Sequence, residues 1–389
     1  MLARTRNPLE KWRTDVFTDV APALPAWATL EVVAPVPIYQ TRRFAIPWQD
    51  TMGRAAGITP MIVQISDEDG EPAALFPFGV RESHGIRRAE FLGGKDSNAN
   101  MGLIRPGISF AADEMKILLL HAARQSGLSP DAFALSNQPE NWENSRNPLF
   151  GLPSQPSASF CHSARLMPDS EAFHKQQLSA DTRKKMRSKR RKLEELGPVS
   201  LLTARTAQEA QSLLDAFFAQ KLQRFDEKNI KSGFDSPQAR SFFERCCISR
   251  IGRADASVEL HGLLAGGRIV ATYGGGVHRG RFHGMINSFD QDPIIARSSP
   301  GDLLLSLLIE AKCRQGLTMF DLGTGEGRYK SNWCDQVEPL FDTLIPVSAK
   351  GHAFVYADSG RRHIKRTIKQ NPWAWAIAQK IRERIKISA

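Results

Sequence analysis

Met319-Phe320-Asp321-Leu322-Gly323-Thr324-Gly325-Glu326-Gly327-Arg328-Tyr329-Lys330-Ser331-Asn332-Trp333 carries a strand-like run into a glycine-rich turn. Taken alone, apolar-Asp-Leu-Gly-x-Gly-x-Gly marks the strand-to-loop step of a nucleotide or S-adenosylmethionine pocket. There the glycines let the backbone approach a ligand, and the loop leads into a helix N-terminus. A doubly wound sheet of that kind needs several further strand–helix units and an acidic residue about 20 positions on. Here only about sixty residues follow, with one strand-like run (Leu340 to Ser348) and a basic tail. Nor does Arg328–Trp333 carry the apolar 3.6 spacing of a buried helix. The context argues against a methyltransferase.

Away from this stretch, 389 residues exceed what one core usually holds, so two domains are expected. A hydrophobic fraction of 41% and a charged fraction of 24% are ordinary for a soluble globular chain. No apolar run reaches the length that spans a bilayer, and the first residues lack the apolar core of a secretory signal. The expected location is cytoplasmic, or peripheral at the inner membrane. The five cysteines, Cys161, Cys246, Cys247, Cys313 and Cys334, have no zinc-site spacing and read as reduced thiols. No metal is expected. Cys334 lies near the glycine-rich turn without an activating base beside it, and reads as a bystander.

The net charge of +11 is localised. Arg183 to Lys192 holds eight cations and no acid, and Arg361 to Lys386 holds nine cations against Glu383 alone. The rest of the chain is mildly acidic, so two basic surfaces need separate explanations. The first lies in a helical candidate, 179–196, that opens on Ser179 and stops at Gly197-Pro198. A solvated face is one reading of it and an anion partner the other. The run lacks the interleaved aromatic residues of a nucleic-acid surface, so DNA is not an expected partner. The second combines cations with Ile364, Ile368, Trp375, Ile377, Ile381 and Ile385, interrupted by Pro372. An anionic membrane surface for 361–386 and docking on its own domain are equal expectations.

Strand-like runs at Pro60–Ser66, Ala73–Val80 and Ile86–Leu92 precede a helical pattern at Ala112–Gln125, whose expected buried face carries Ile117, Leu118, Leu120 and His121. The Pro-, Asn- and Ser-rich stretch from Asn137 to Ser157 reads as a connection. Two helices come next, Thr206–Gln223 and Pro237–Ile248, then strands Val258–Leu264, Arg268–Val277 and Arg281–Phe289 joined by short turns. The expected division is an N-terminal extension (1–27), a first domain (28–155), a second domain (156–350) and a basic tail (351–389). After the third strand, Ser298-Ser299-Pro300-Gly301 opens an apolar helix. Its unpaired amides and partial positive charge suit a pyrophosphate, with Asp302 the unfavourable member; an ordinary capped helix is the plain alternative.

The string Ser299-Pro300-Gly301, Phe320-Asp321, Gly323, Gly325, Tyr329-Lys330 and Trp333 resembles the C-terminal domain of the CelD/BcsL acyltransferase-like family. That family belongs to the GNAT superfamily and is related to the Fem peptidyltransferases. The resemblance covers roughly residues 30 to 350, densely in the second half. It implies a mixed-sheet α/β fold of two GNAT-like domains in tandem, the second the more complete. It also implies acyl-CoA as donor, lying between parted strands at Met285–Phe289 and Met319–Leu322, with Asn287, Ser298, Ser299, Gly301 and Phe320 around it. Asp290 and Asp321 are the candidate bases and His283 a weaker third, Asp321 serving equally well as a loop brace. Tyr329 is the candidate proton donor to the departing thiolate, and Lys330 the candidate holder of an anionic group. Trp333, His283 and Arg187 are the expected acceptor contacts. The implied activity is N-acylation of an envelope precursor amine, either an amino sugar of an exopolysaccharide or a long-chain amine such as a sphingoid base. The alternatives are a Fem-like ligase using aminoacyl-tRNA and a non-catalytic assembly factor.

Overall fold

The computed structural model describes residues 7–227, 234, 236–248, 258–325, 327–371 and 373–374, apart from the Arg328 side chain. It divides into two compact units, Met1–Phe160 with Glu338–Ala389, and Cys161–Val337. Each is a mixed α/β sandwich built on the same succession of elements. Three antiparallel strands lead to a helix, and the chain returns as a strand parallel to the third. A parallel return needs such a crossover, and a helix supplies it.

In the first unit the sheet runs Arg13–Phe17, Thr59–Ser66, Pro72–Ser83, Ile86–Phe91, Ala132–Pro139, Leu340–Pro346 and Ser154–Pro156, with Leu103–Ile104 beside Pro72–Ser83. The helix Ala112–Gln125 buries Met115, Leu118, Leu119 and Ala122, the spacing of one helix face, against Met61, Val63, Phe78 and Phe133. The expected face is therefore corrected, since Ile117 is 40% exposed. Two expected boundaries also change. Residues 1–27 are not an extension, because Arg13–Phe17 pairs with Thr59–Ser66 in the sheet. Leu340–Pro346, expected to finish the second domain, pairs with Ala132–Pro139 in the first.

Nor is the chain after that strand a separate tail. The helix Ala349–Gln370 packs on Leu340–Pro346 and places Arg362 between two carboxylates, with Nη1 2.6 Å from Asp342 Oδ2 and Nε 2.6 Å from Asp358 Oδ2. Burial raises the Asp358 carboxyl, but the bonds from Arg362 and Arg361 outweigh it and hold the group below its ordinary value. This anchor occupies the start of 361–386, for which a membrane surface and docking on its own domain were equal expectations. Trp375, Ile377, Ile381 and Ile385 lie outside the described residues.

The second unit orders its strands Val199–Thr203, Glu259–Ala265, Arg268–His278, Arg281–Phe289, Met319–Thr324, Cys161–Arg165 and Gln336–Glu338. On one face lies the helix Pro300–Arg314, which buries Leu304, Leu305, Leu308 and Ile309 against Val270, Phe282 and Phe320. The helix Ala207–Glu227 buries Leu213, Leu214, Phe217 and Phe218. The basic helix Ala180–Glu194 is capped by Ser179, whose hydroxyl accepts from the Thr182 N–H at 3.1 Å. Lys312, fully buried, meets Glu259 at 2.5 Å, and its attraction with the His261 contact overcomes burial to bring that carboxyl to about 2.

Candidate functional site

Arg281–Phe289 and Met319–Thr324 pair in parallel only at Arg281↔Met319, Phe282↔Phe320 and His283↔Asp321. Each strand then has a one-residue irregularity against its other neighbour. Gly275 faces Gly284 while Gly274 faces Ile286, leaving Met285 unmatched. Likewise Ser163 faces Asp321 while His162 faces Gly323, leaving Leu322 unmatched. A bulge bends the strand that carries it, and two at one level turn the neighbours apart just past His283 and Asp321. Gly284 sits at the fork. A Cβ there would stand 2.4 Å from the Tyr273 hydroxyl oxygen, so only glycine lets that ring reach the opening.

Beyond the fork lies a cavity of about 270 Å³, lined by Tyr273, Asn287, Phe289, Gly301, Asp302 and Tyr329 among others. Its floor is the start of the helix Pro300–Arg314. Ser299, the residue before that helix, is left-handed (φ 46°), and its side chain makes no capping bond. Its carbonyl accepts from the Asp302 and Leu303 amides at 3.0 and 3.3 Å. Pro300 has no N–H. Among the described residues the Gly301 amide has no such bond to the Ser299 carbonyl, and Gly301 lines the cavity. A Cβ on Gly301 would meet nothing nearer than Phe289 Cδ1 at 3.8 Å, so the backbone borders open space.

The electrostatics are mixed. Lys189, from the basic helix, donates to Ser299 Oγ at 2.7 Å. Arg224 lies over the Phe289 ring, 4.8 Å from its centroid, and also lines the cavity. Lys221 donates to the Asn287 carbonyl at 3.1 Å, and burial, with Arg224 nearby, brings its ammonium down to about 8. Burial raises the Asp302 carboxyl against the pull of Lys189. Burial also pushes the Tyr329 phenol up, against its hydrogen bond with Asn287, so the phenol keeps its proton at neutral pH. Arg224 in the lining, with Lys189 and Lys221 close behind it, sets positive charge near Asp302 at the start of this helix.

Of the residues expected at the site, Asn287, Ser299, Gly301 and Tyr329 line this cavity. The others have different neighbours. Asp290 is held by Arg268 at 2.6 Å and accepts from the Asp292 amide at 3.0 Å, bracing a turn. Asp321 is 1% exposed and accepts from the Gly323 amide at 2.6 Å and from Cys161 Sγ at 3.4 Å. Burial works against its ionisation, but His283 (Nδ1 at 3.5 Å), Arg281 and the Gly323 amide outweigh that and hold the carboxyl low. Buried and bonded in this way, Asp321 braces the fork.

Lys330 is buried too, and its ammonium donates to the Gly323 and Thr324 carbonyls at 3.0 and 2.9 Å. The expected anion holder is instead a clasp on the end of Met319–Thr324. Phe320, His283 and Ser298 are buried away from the opening, and Trp333 packs its ring against His174 at 5.6 Å. Arg187 faces a second cavity. Arg328–Trp333 forms a short helix where no buried helix was expected, carrying Tyr329 to the cavity and Lys330 inward. Cys334 has its thiol pushed up to about 12, chiefly by burial, so it is no nucleophile at neutral pH.

Sequence reading missed Arg224, Thr272 and Tyr273. The run Tyr273-Gly274-Gly275-Gly276 inside a strand was the available signal, since strand glycines mark bulges and close approaches. Nothing local distinguishes Arg224 from any other helix arginine.

Residues 180–331 match the acetyltransferase (GNAT) domain family. Among curated proteins none matches the chain in sequence. Among solved structures the fold is similar to that of the "FemX" crystal structure (8% identity, 88% of this chain and 100% of that one, TM-score 0.55). It is also similar to a conserved protein of unknown function from Bacteroides thetaiotaomicron (10%, 86% and 100%, TM-score 0.53). A third is the C-terminal domain of a putative lysylphosphatidylglycerol synthetase from Agrobacterium fabrum (12%, 88% and 96%, TM-score 0.50). At such identities these likenesses speak for the fold alone. Residues 180–331 of the second unit carry a GNAT domain, and the protein is an acyltransferase; its strands part past His283 and Asp321, whereas the expected parting began at Met319, which is paired with Arg281.

Proposed function

Proceeding from a GNAT domain over 180–331, we propose that the protein is an acyl-CoA-dependent N-acyltransferase acting on the amine of a cell-envelope precursor. The observation that carries this reading is a single cavity, past the fork of the two strands, lined both by an open helix start at Gly301 and by the protonated phenol of Tyr329. In the proposed arrangement the Gly301 amide, Ser299, Lys189 and Arg224 hold the donor's diphosphate, and the thioester lies along the parted strands. The acceptor nitrogen bonds to the carbonyl carbon and the carbon–sulfur bond breaks. The thiolate takes the Tyr329 proton, and the proton shed by the amine returns to Tyr329 through water. Asn287 orients the phenol. Asp290 and Asp321 brace the fold, so neither is assigned as base.

The CelD/BcsL resemblance favours an amino sugar of an exopolysaccharide as acceptor, with a long-chain amine as the second candidate. Melting in the presence of acetyl-, mid-chain and long-chain acyl-CoA tests the reading. A ligand at 100 times its Kd stabilises by about 2.7 kcal/mol, which is about 5–10 °C for a domain of this size. No shift with any acyl-CoA overturns it. Salt-steep binding of aminoacyl-tRNA would then favour the ligase reading, in which the basic helix meets RNA.

A further inference from the structure

On the side of the helix Pro300–Arg314 that carries Leu303 and Leu307 lies a second cavity of about 410 Å³, whose lining includes the basic helix Ala180–Glu194. Leu178, Met186, Val199, Leu303 and Leu307 line it with hydrocarbon, and Lys175, Arg183, Arg187 and Arg190 line it with charge. Arg183, Arg187 and Arg190 share one helix face by their spacing. Two carboxylates also line it, of which Glu171 has a cation partner and Glu310 only a histidine. Glu171 meets Lys175 at 2.8 Å, and Glu310 meets His174 Nδ1 at 3.7 Å. Burial lowers His174, so at neutral pH the ring adds no charge.

The arginines are not equivalent. Arg183 donates to the Leu178 carbonyl at 2.6 Å and the Lys175 carbonyl at 3.1 Å, closing the end of the helix Ser170–Gln177. Arg190 meets Glu194 in an exposed pair worth little. Among the described residues Arg187 has no ion pair of its own, at the rim of an apolar hollow. Of the eight cations between Arg183 and Lys192, Lys185 and Arg190 have carboxylate partners on the same helix, so the surplus positive charge on this face favours an anion. We propose that this cavity binds an anion carried on a hydrocarbon stem, a phosphate-headed amphiphile. Its head lies on Arg187 and Arg190, and its chain on Met186, Leu303 and Leu307. The site is separate from the donor cavity and stands independently of the acyl-CoA reading.

The probe is dodecyl phosphate below its micellar concentration, titrated into the full chain by calorimetry. Saturable binding is expected, with affinity rising about fourfold per methylene from butyl to octyl phosphate, the factor for a buried CH₂. Dodecyltrimethylammonium should bind at least tenfold more weakly. Arg187→Glu should lower affinity at least tenfold, whereas Lys192→Glu, the same charge change on the same helix but off the cavity, leaves it within twofold. Leu307→Ser should flatten the chain-length dependence while retaining phosphate binding. Equal loss in Arg187→Glu and Lys192→Glu, equal binding of the cationic detergent, or no dependence on chain length overturns the proposal. Phosphatidylglycerol vesicles supply the last arm. Competition with dodecyl phosphate supports a bilayer lipid as source, and its absence supports a soluble amphiphile.

Discussion

Replacing Gly301 by alanine separates folding from ligand binding, because the two should move in opposite directions. The glycine is the second residue of the helix Pro300–Arg314, where its freedom in the unfolded chain is a cost. Alanine there is more favourable by about 0.5–1 kcal/mol. The added methyl meets only Phe289 Cδ1 at 3.8 Å, an ordinary contact, so no strain offsets that gain. Thermal unfolding should occur about 1–4 °C higher. The same methyl adds bulk to the cavity lining beside the Gly301 amide, where it should crowd an oxygen approaching that amide. Losing one charge-assisted hydrogen bond costs about 1.5–3 kcal/mol, or about 10–150-fold in affinity. Calorimetric titration of the best acyl-CoA, paired with melts of the free protein, measures both. A variant that is stabilised yet binds donor as tightly as wild type would refute the diphosphate cradle.

Three further outcomes are expected. Tyr329→Phe should keep donor affinity within about twofold but lower kcat about 10²–10⁴-fold, the range for a general acid, as read by steady-state kinetics; an unchanged kcat removes Tyr329 from the chemistry. Arg362→Met leaves Asp342 without its cation and Asp358 with the exposed Arg361 alone, and should cost about 3–5 kcal/mol in urea unfolding at pH 7. Because the Asp358 carboxyl is held low in the fold, its contribution is present above the unfolded value and is lost as pH falls through the folded one, so the wild-type advantage should shrink below about pH 4. Lys221 gives a slope of the same sign at higher pH, although here burial penalises the charged form instead of a partner favouring it. It sheds its proton at about 8 in the fold and near 10.5 when unfolded, so the unfolded chain holds more protons between those values and stability rises with pH there. After solvent screening the gain should be about 1–2 kcal/mol in wild type and absent in Lys221→Met, in paired urea melts at pH 7.5 and 9.5.

Local patterns in the chain were enough for the elements themselves. Alternation and turn glycines located the meander from Glu259 to Phe289, and Ser179 with Gly197-Pro198 bounded the basic helix, because these signals act within a few residues. The helix start at Ser299-Pro300-Gly301 was legible for the same reason. Partner and direction were not. Leu340–Pro346 reads as a strand from its own residues, but only the packed structure assigns it to the first sheet, since a strand's composition does not name its neighbour. Asp321 and Lys330 have the residue types of chemistry, yet the fold turns both inward, onto a backbone amide and two carbonyls. The cavity draws Arg224, Tyr273 and Tyr329 from positions far apart in the chain. Such a site exists only where bulges at Met285 and Leu322 bend two strands at one level, and that coincidence belongs to three dimensions.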